Sequence, residues 1–293
     1  MLSGQFATVS RLTKVTEQIT AWRAEGHSVA LISTLGAVHR GHLALVKTAG
    51  REAERVIVCA YRNPLQLGPD ERADRHPRAT EKDAEAIAAA GGHLLFTPAD
   101  FDIFPGGTEG GTRVDVPDLS SILCGTNRPW LFPGIATVTV KLVGAMQPQV
   151  LVVGERDYQQ YVILRRVLTD LLLPTRLVAV PTIREHDGLA VSTMNRQLSV
   201  RERNIASRLY EMLSAIRRRL QKGERDYAVL TDFGMKILER AGLTPEYVSI
   251  RQAVDLAPAR ADTARFAVFA AAKLGAVRLT DSVLVKPDPP PGA

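Results

Sequence analysis

Cysteine is nearly absent: Cys59 and Cys124 are the only two in 293 residues, and neither stands in a CxxC pair or at metal-ligand spacing. A disulfide scaffold and a cysteine-built zinc site are excluded. The simple expectation is a reduced, cytoplasmic setting with both thiols acting as small buried hydrophobes. Aromatic residues make up only 5% of the chain. Long apolar runs are missing as well. No stretch reaches the roughly 18 residues that a membrane span needs, so no membrane partner is expected. The N-terminal residues mix polar and apolar types, without the charged-then-apolar order of a secretory signal. No internal repeat is found, and the densest basic run, Arg217 to Arg219, reads as a solvated helix face.

What is present describes a packed globular chain. Hydrophobic residues make up 45% and charged residues 23%. The net charge is +6, from 37 Lys and Arg against 31 Asp and Glu. That excess admits an anionic small-molecule partner. The basic residues are dispersed along the chain, so nucleic acid is not expected as a partner.

Strand and helix signals alternate over residues 1–182. Apolar runs at 28–32, 56–58, 93–97, 150–153 and 177–180 read as strands, and segments 43–53, 80–90, 135–146 and 157–171 read as helices. Continuous apolar strands separated by helices imply a parallel sheet covered on both faces. Beyond Ile183 the pattern changes to two long helical stretches, 199–221 and 226–241, followed by three strand-like runs. Helices followed by strands imply a smaller α+β domain over 183–286, with a Pro-rich tail at 287–293.

Four segments carry chemistry. The first, Thr34-Leu35-Gly36-Ala37-Val38-His39-Arg40-Gly41-His42, follows a predicted strand and opens a helix. Gly36 and Gly41 permit close backbone approach, and the helix N-terminus offers N–H donors and partial positive charge to a phosphate. His39 and His42, three apart, share one face of the opening turn. The second segment, Asn63-Pro64-Leu65-Gln66, follows the next strand and offers amides to a polar, uncharged group. The third, Gly154-Glu155-Arg156-Asp157, leads to Gln160 in the next helix. Arg156 offers a fixed charge for phosphate, and Asp157 or Glu155 a carboxylate for a nucleotide hydroxyl or Mg²⁺. The fourth runs from Arg184 to Arg196 at the expected domain junction. It carries Ser192 and Thr193, in a loop placed to close over a reactive intermediate.

Together these segments resemble the pantothenate synthetase (pantoate–β-alanine ligase) family, collinearly from about Leu31 to Arg208. The resemblance implies an α/β fold: a Rossmann-like doubly wound parallel sheet of the HIGH-type nucleotidylyltransferase superfamily, with a smaller C-terminal α+β domain. It implies an ATP- and Mg²⁺-dependent, AMP-forming ligase that makes an acyl adenylate, and a homodimer. By position it assigns catalysis to His42, His39 and Arg156. ATP contacts fall on Leu35, Gly36, Gly41, His42, Gly154, Asp157, Ile183, Val191, Ser192, Thr193 and Met194, and acid contacts on Gln66, Gln160 and Asn63. Metal ligands are left unassigned.

The chain departs from the family at several of these places. Arg156 stands for the usual Lys of GEKD, and Met194 for the usual Arg of MSSR. Arg128-Pro129-Trp130-Leu131-Phe132-Pro133-Gly134 stands for RPGHFRG. These departures keep two alternatives open: a divergent paralogue joining another acid or amine, or a catalytically weak nucleotide-binding partner subunit.

Overall fold

A computed structural model describes residues 6–68 and 78–286. The expected Pro-rich tail lies outside the described residues. The chain forms two compact units, one of residues 1–154 with 163–180 and another of 155–162 with 181–293.

The first unit is built on six parallel strands: β1 (Ala7–Val9), β2 (Val29–Thr34), β3 (Arg55–Ala60), β4 (Leu94–Phe96), β5 (Val150–Gly154) and β6 (Arg176–Val180). Their spatial order is β1-β4-β3-β2-β5-β6. Helices α1 (Leu12–Ala24), α2 (Arg40–Glu52) and α3 (Glu81–Ala89) alternate with the strands. Three single-turn helices follow, α4 (Asp100–Ile103), α5 (Pro117–Ser120) and α6 (Cys124–Asn127), and then the longer α7 (Leu131–Met146) and α8 (Tyr158–Asp170). Strand side chains alternate between faces. Ala30, Ile32, Val56, Val58, Leu95, Val150 and Val152 pack with Leu45, Val46 and Ala49 of α2 and Ile87 of α3. The alternate positions Leu31, Ile57, Leu94 and Leu151 are also fully buried. Burial on both faces is why these strands read as unbroken apolar runs.

Helix starts follow local chemistry. At α3, Thr80 and Asp83 form a reciprocal capping box. In α7, Pro133 sits within the first turn, where no intrahelical N–H is lost, so the helix begins four residues before the expected Ile135. Arg23 of α1 donates to the carbonyls of Met146 (2.8 Å) and Gln147 (2.5 Å), placing a cation at the C-terminus of α7.

The second unit holds α9 (Val200–Ala206), α10 (Arg208–Gln221), α11 (Tyr227–Arg240) and an antiparallel sheet β7 (Thr244–Gln252), β8 (Phe266–Leu274) and β9 (Val277–Val285). Residues 199–221, read as one helix from the sequence, are two helices that meet at Ser207. Leu209, Met212, Leu213 and Ile216 of α10 pack with Leu230 and Leu238 of α11 on Phe266, Val268 and Ala270 of β8. No helix among the described residues is long and apolar enough to cross a membrane.

Candidate active site

β2 lies between β3 and β5, where the order of the parallel sheet reverses direction. In doubly wound sheets, ligands bind outside the carboxyl ends of strands at such a switch point. The ladders show where pairing ends. β2 and β3 stay paired to Thr34↔Ala60, and β5 and β6 to Gly154↔Val180, whereas the β2–β5 ladder stops at Ile32↔Val152. The last two residues of β2 and β5 are therefore unpaired with each other.

The loop after β2 leaves the sheet at this point. Gly36, at φ 154, is buried and donates its N–H to Thr34 Oγ1 at 3.5 Å. Val38 N–H donates to Asp83 Oδ1 at 2.9 Å, tying the loop to the start of α3. His39 caps α2 by accepting from Gly41 N–H (3.1 Å) and His42 N–H (3.4 Å) at Nδ1. His39 N–H in turn donates to His42 Nδ1 at 3.3 Å. The two rings stack, 3.9 Å between centroids and 18° apart in plane. Since both Nδ1 atoms accept, the hydrogen-bond pattern places each ring proton on Nε2. His42 Nε2 then faces Thr34 Oγ1 at 3.2 Å. Gly41 makes the arrangement possible, because a Cβ there would stand 2.8 Å from His39 Cε1.

After β3, Asn63 is buried with both ends of its amide engaged. Its oxygen accepts from Leu65 N–H (3.0 Å), and Nδ2 donates to the Gly134 carbonyl (2.9 Å). Asn63, expected to contact the acid, holds the 3₁₀ turn Pro64–Gln66, from which Gln66 projects half-buried. Gly134 is part of the same device. A Cβ there would fall 2.3 Å from Leu65 O and 2.9 Å from Gln66 N.

In the second unit, residues 155–157 form a 3₁₀ turn into α8. Arg156 pairs with Asp157 at 3.4 Å. Its Nε is buried with no hydrogen-bond partner among the described residues, a donor that a bound oxyanion would satisfy. Burial pushes the Glu155 carboxyl above the usual range, partly offset by the Arg265 charge. Gln160 is half-buried in the first turn of α8. Residues 183–191 fold back on themselves, with Val191 N–H donating to Ile183 O (2.9 Å) and Glu185 N–H to Leu189 O (2.8 Å). Ser192 accepts from Met194 N–H at 3.2 Å and so caps the 3₁₀ helix Thr193–Gln197; its own O–H can still donate. Met194, expected at the nucleotide, is half-buried. Its side chain packs on the apolar core of the second unit, and its sulfur accepts from Gln197 Nε2 at 3.6 Å. A thioether has no charge to offer phosphate, and apolar burial is its best use. Among the described residues no three His, Cys, Asp or Glu side chains gather to hold a metal ion.

The sequence profile described as pantoate-beta-alanine ligase matches residues 7–284. The chain belongs to the pantoate–β-alanine ligase family. The pantothenate synthetase of Azotobacter vinelandii is 41% identical over 278 residues, covering 95% of this chain and 98% of that protein. A pantothenate synthetase of Pseudomonas fluorescens is 41% identical over 283 residues, covering 97% and 99%. The crystal structure of pantothenate synthetase from Thermus thermophilus superposes with a TM-score of 0.89 at 36% identity, covering 96% of this chain and all of that one. The pantoate-beta-alanine ligase of Francisella tularensis, solved with beta-gamma ATP and beta-alanine, has a TM-score of 0.78 at 27% identity, covering 95% and 97%. The six-stranded sheet is thus the HIGH-type nucleotidylyltransferase fold, and the chain is an ATP-dependent ligase of this family.

Several residues shape this site through contacts to which the sequence motifs assign no role. Thr34 and Asp83 anchor the histidine loop, and Gly134 seats the Gln66 turn. Asp281 and Ser282 of β9 hold the segments at 183–191 and 155–156. Apart from the Thr34–His42 contact, these join residues far apart in the chain, which spacing in a sequence does not reveal.

Proposed function

We propose that this chain is a pantothenate synthetase, joining pantoate to β-alanine with conversion of ATP to AMP and pyrophosphate. The observation that carries the reading is the stacked His39–His42 cap at the open carboxyl edge between β2 and β5. The positive end of α2 and the two imidazole Nε2 protons, that of His42 resting on Thr34 Oγ1, are the groups that would meet an oxyanion.

In the proposed reaction, the pantoate carboxylate attacks the α-phosphorus of ATP, forming the acyl adenylate and expelling pyrophosphate. The β-alanine amine then attacks the acyl carbon, loses a proton and expels AMP. His42, His39 and Arg156 stabilise charge on the phosphates. Backbone at Leu35, Gly36, Gly41, Gly154, Ile183 and Val191, with Ser192, Thr193 and Asp157, holds the nucleotide. Gln66 and Gln160 receive the acid. Catalysis by positioning and fixed charge needs no covalent enzyme intermediate. Mg²⁺ neutralises phosphate charge when bound. Asp157 and Glu155, on the turn into α8, are the carboxylates that would hold it. We propose further that residues 1–182 and 183–286 act as the functional domains, that the protein is a homodimer and that it works in the cytoplasm.

The test is pantoate-dependent exchange of labelled pyrophosphate into ATP. Wild type exchanges, and His42→Ala loses exchange while keeping its circular dichroism spectrum. Undiminished exchange in that variant removes His42 from the mechanism. The Met194 side chain, turned into the core, favours one second reading, a paralogue for another acid or amine. Exchange with other hydroxy acids and none with pantoate would establish it.

A further inference from the structure

β9 passes two consecutive polar side chains to the second unit's two nucleotide segments. Neighbouring residues of a strand point to opposite faces. Asp281, 4% exposed, receives Arg184 as a fork: Nη1 donates to Oδ2 at 2.5 Å and Nη2 to Oδ1 at 3.1 Å. Arg184 also donates to the Gly188 carbonyl at 3.1 Å, and its guanidinium lies 3.8 Å over the Tyr210 ring. Gly188, at φ +89, leaves room for that ring, since a Cβ would stand 2.2 Å from Tyr210. The fold-back 183–191 is thereby clamped from a single carboxylate. The adjacent Ser282, also 4% exposed, turns the other way, its Oγ within 2.9 Å of the Glu155 carbonyl and 3.0 Å of the Arg156 carbonyl. One hydroxyl thus pins the turn from which Arg156 projects.

We infer that Asp281 and Ser282 are positioning residues for ATP: together they set the register between the turn carrying Arg156 and the fold-back carrying Ile183 and Val191. The inference rests on the proposed function, which gives those two segments to the nucleotide. A buried ion pair is a weak device for stability, because desolvating both charges offsets their attraction, and apolar replacements are often as stable. What the Arg184–Asp281 fork adds is direction, two parallel bonds at fixed angles. Arg156 shows why direction matters here. Its Nε is already desolvated with no partner among the described residues, so it can serve an oxyanion only if its backbone is held where that oxyanion arrives.

The experiment compares Ser282→Ala, Ser282→Thr and the paired apolar replacement Arg184→Met with Asp281→Leu, each in the full chain. Asp281→Asn alone would strand a buried guanidinium and risk unfolding, whereas the pair removes both charges. KM for ATP, KM for pantoate, kcat and the melting temperature are measured. The expected result is a rise of about tenfold in KM for ATP in Ser282→Ala and in the pair. KM for pantoate stays unchanged, melting temperatures stay within a few degrees of wild type, and Ser282→Thr recovers most of the loss. Folded variants with wild-type KM for ATP overturn the inference, as does an equal rise in both KM values, which marks general loosening. A wild-type chain that ligates no acid overturns the proposed function and this inference with it. An active wild type with indifferent variants overturns the inference alone.

Discussion

Gly41 is decided by a neighbour two residues away. A Cβ at this position would lie 2.8 Å from His39 Cε1 and 2.9 Å from Nδ1. The His39 ring cannot simply swing aside, because it is stacked on His42 and accepts two backbone N–H groups. In Gly41→Ala two stability effects oppose each other. Alanine within a helix gains up to about 1 kcal/mol over glycine, and the disturbed cap loses about 1 kcal/mol. The melting temperature should move little, while displacement of both imidazoles lowers kcat/KM about a hundredfold. Parallel melting curves and ligation rates check this, and full activity would show that the stack is dispensable. The histidines themselves were legible from their spacing after an apolar strand. Their reciprocal cap was not, because the recognised signature of a capping box is Ser or Thr with Glu three residues on. Met194 shows the opposite limit. Its position in the motif is legible, but the direction of its side chain depends on an apolar core assembled from α10, α11 and the second sheet.

Among elements, the contact between α7 and the turn after β3 places Gln66, the glutamine proposed to receive the acid. Gly134→Ala would set a methyl group 2.3 Å from Leu65 O, and backbone cannot rotate out of the way. The expected cost is about 1–3 kcal/mol, as for other overpacked sites, in place of the usual gain of alanine in a helix. KM for pantoate should rise more than KM for ATP, since the strain falls on the turn that presents Gln66. Urea denaturation and the two KM values read these effects separately; a stabilised variant with normal pantoate affinity would show that the turn yields. The strands β2, β3, β4 and β5 were readable because both faces of their sheet are covered, so their apolar runs are nearly continuous. β1 is three residues with no fully buried member, and α1 has Arg11 at its N-cap with no side-chain cap bond, so neither announces itself locally. The meeting of α9 and α10 at Ser207 is equally silent, as a serine is tolerated inside many helices.

At the scale of the whole chain, the grouping of residues 155–162 with the second unit follows from contacts such as Tyr158 Oη donating to Ala253 O at 3.1 Å, which chain order cannot anticipate. The first unit carries its own titration signature. Cys59 is completely buried, and desolvation drives its thiol far above the usual range. Tyr61, next but one, is raised by burial and then by the Asp100 carboxylate, to which its hydroxyl donates at 3.0 Å. For an acid whose folded pKa is raised, the unfolded chain releases its proton first, so stability is complete below the unfolded pKa and declines as pH climbs above it. Cys59 therefore begins to cost stability above about pH 8.5 and Tyr61 above about pH 10, each with a limiting slope of about 1.4 kcal/mol per pH unit. Calorimetry between neutral and alkaline pH should show the first unit melting progressively earlier. Cys59→Ala should flatten the part of that decline that starts near pH 8.5, whatever its own effect on stability at neutral pH. A thiol reagent supplies the second check, since a protonated, enclosed sulfur reacts only through molecules that have opened. Cys59 should label at the opening rate of the first unit and accelerate along the same alkaline curve. Labelling of the native protein as fast as that of a free thiol would place Cys59 in contact with solvent and remove the sulfur from the account of alkaline instability.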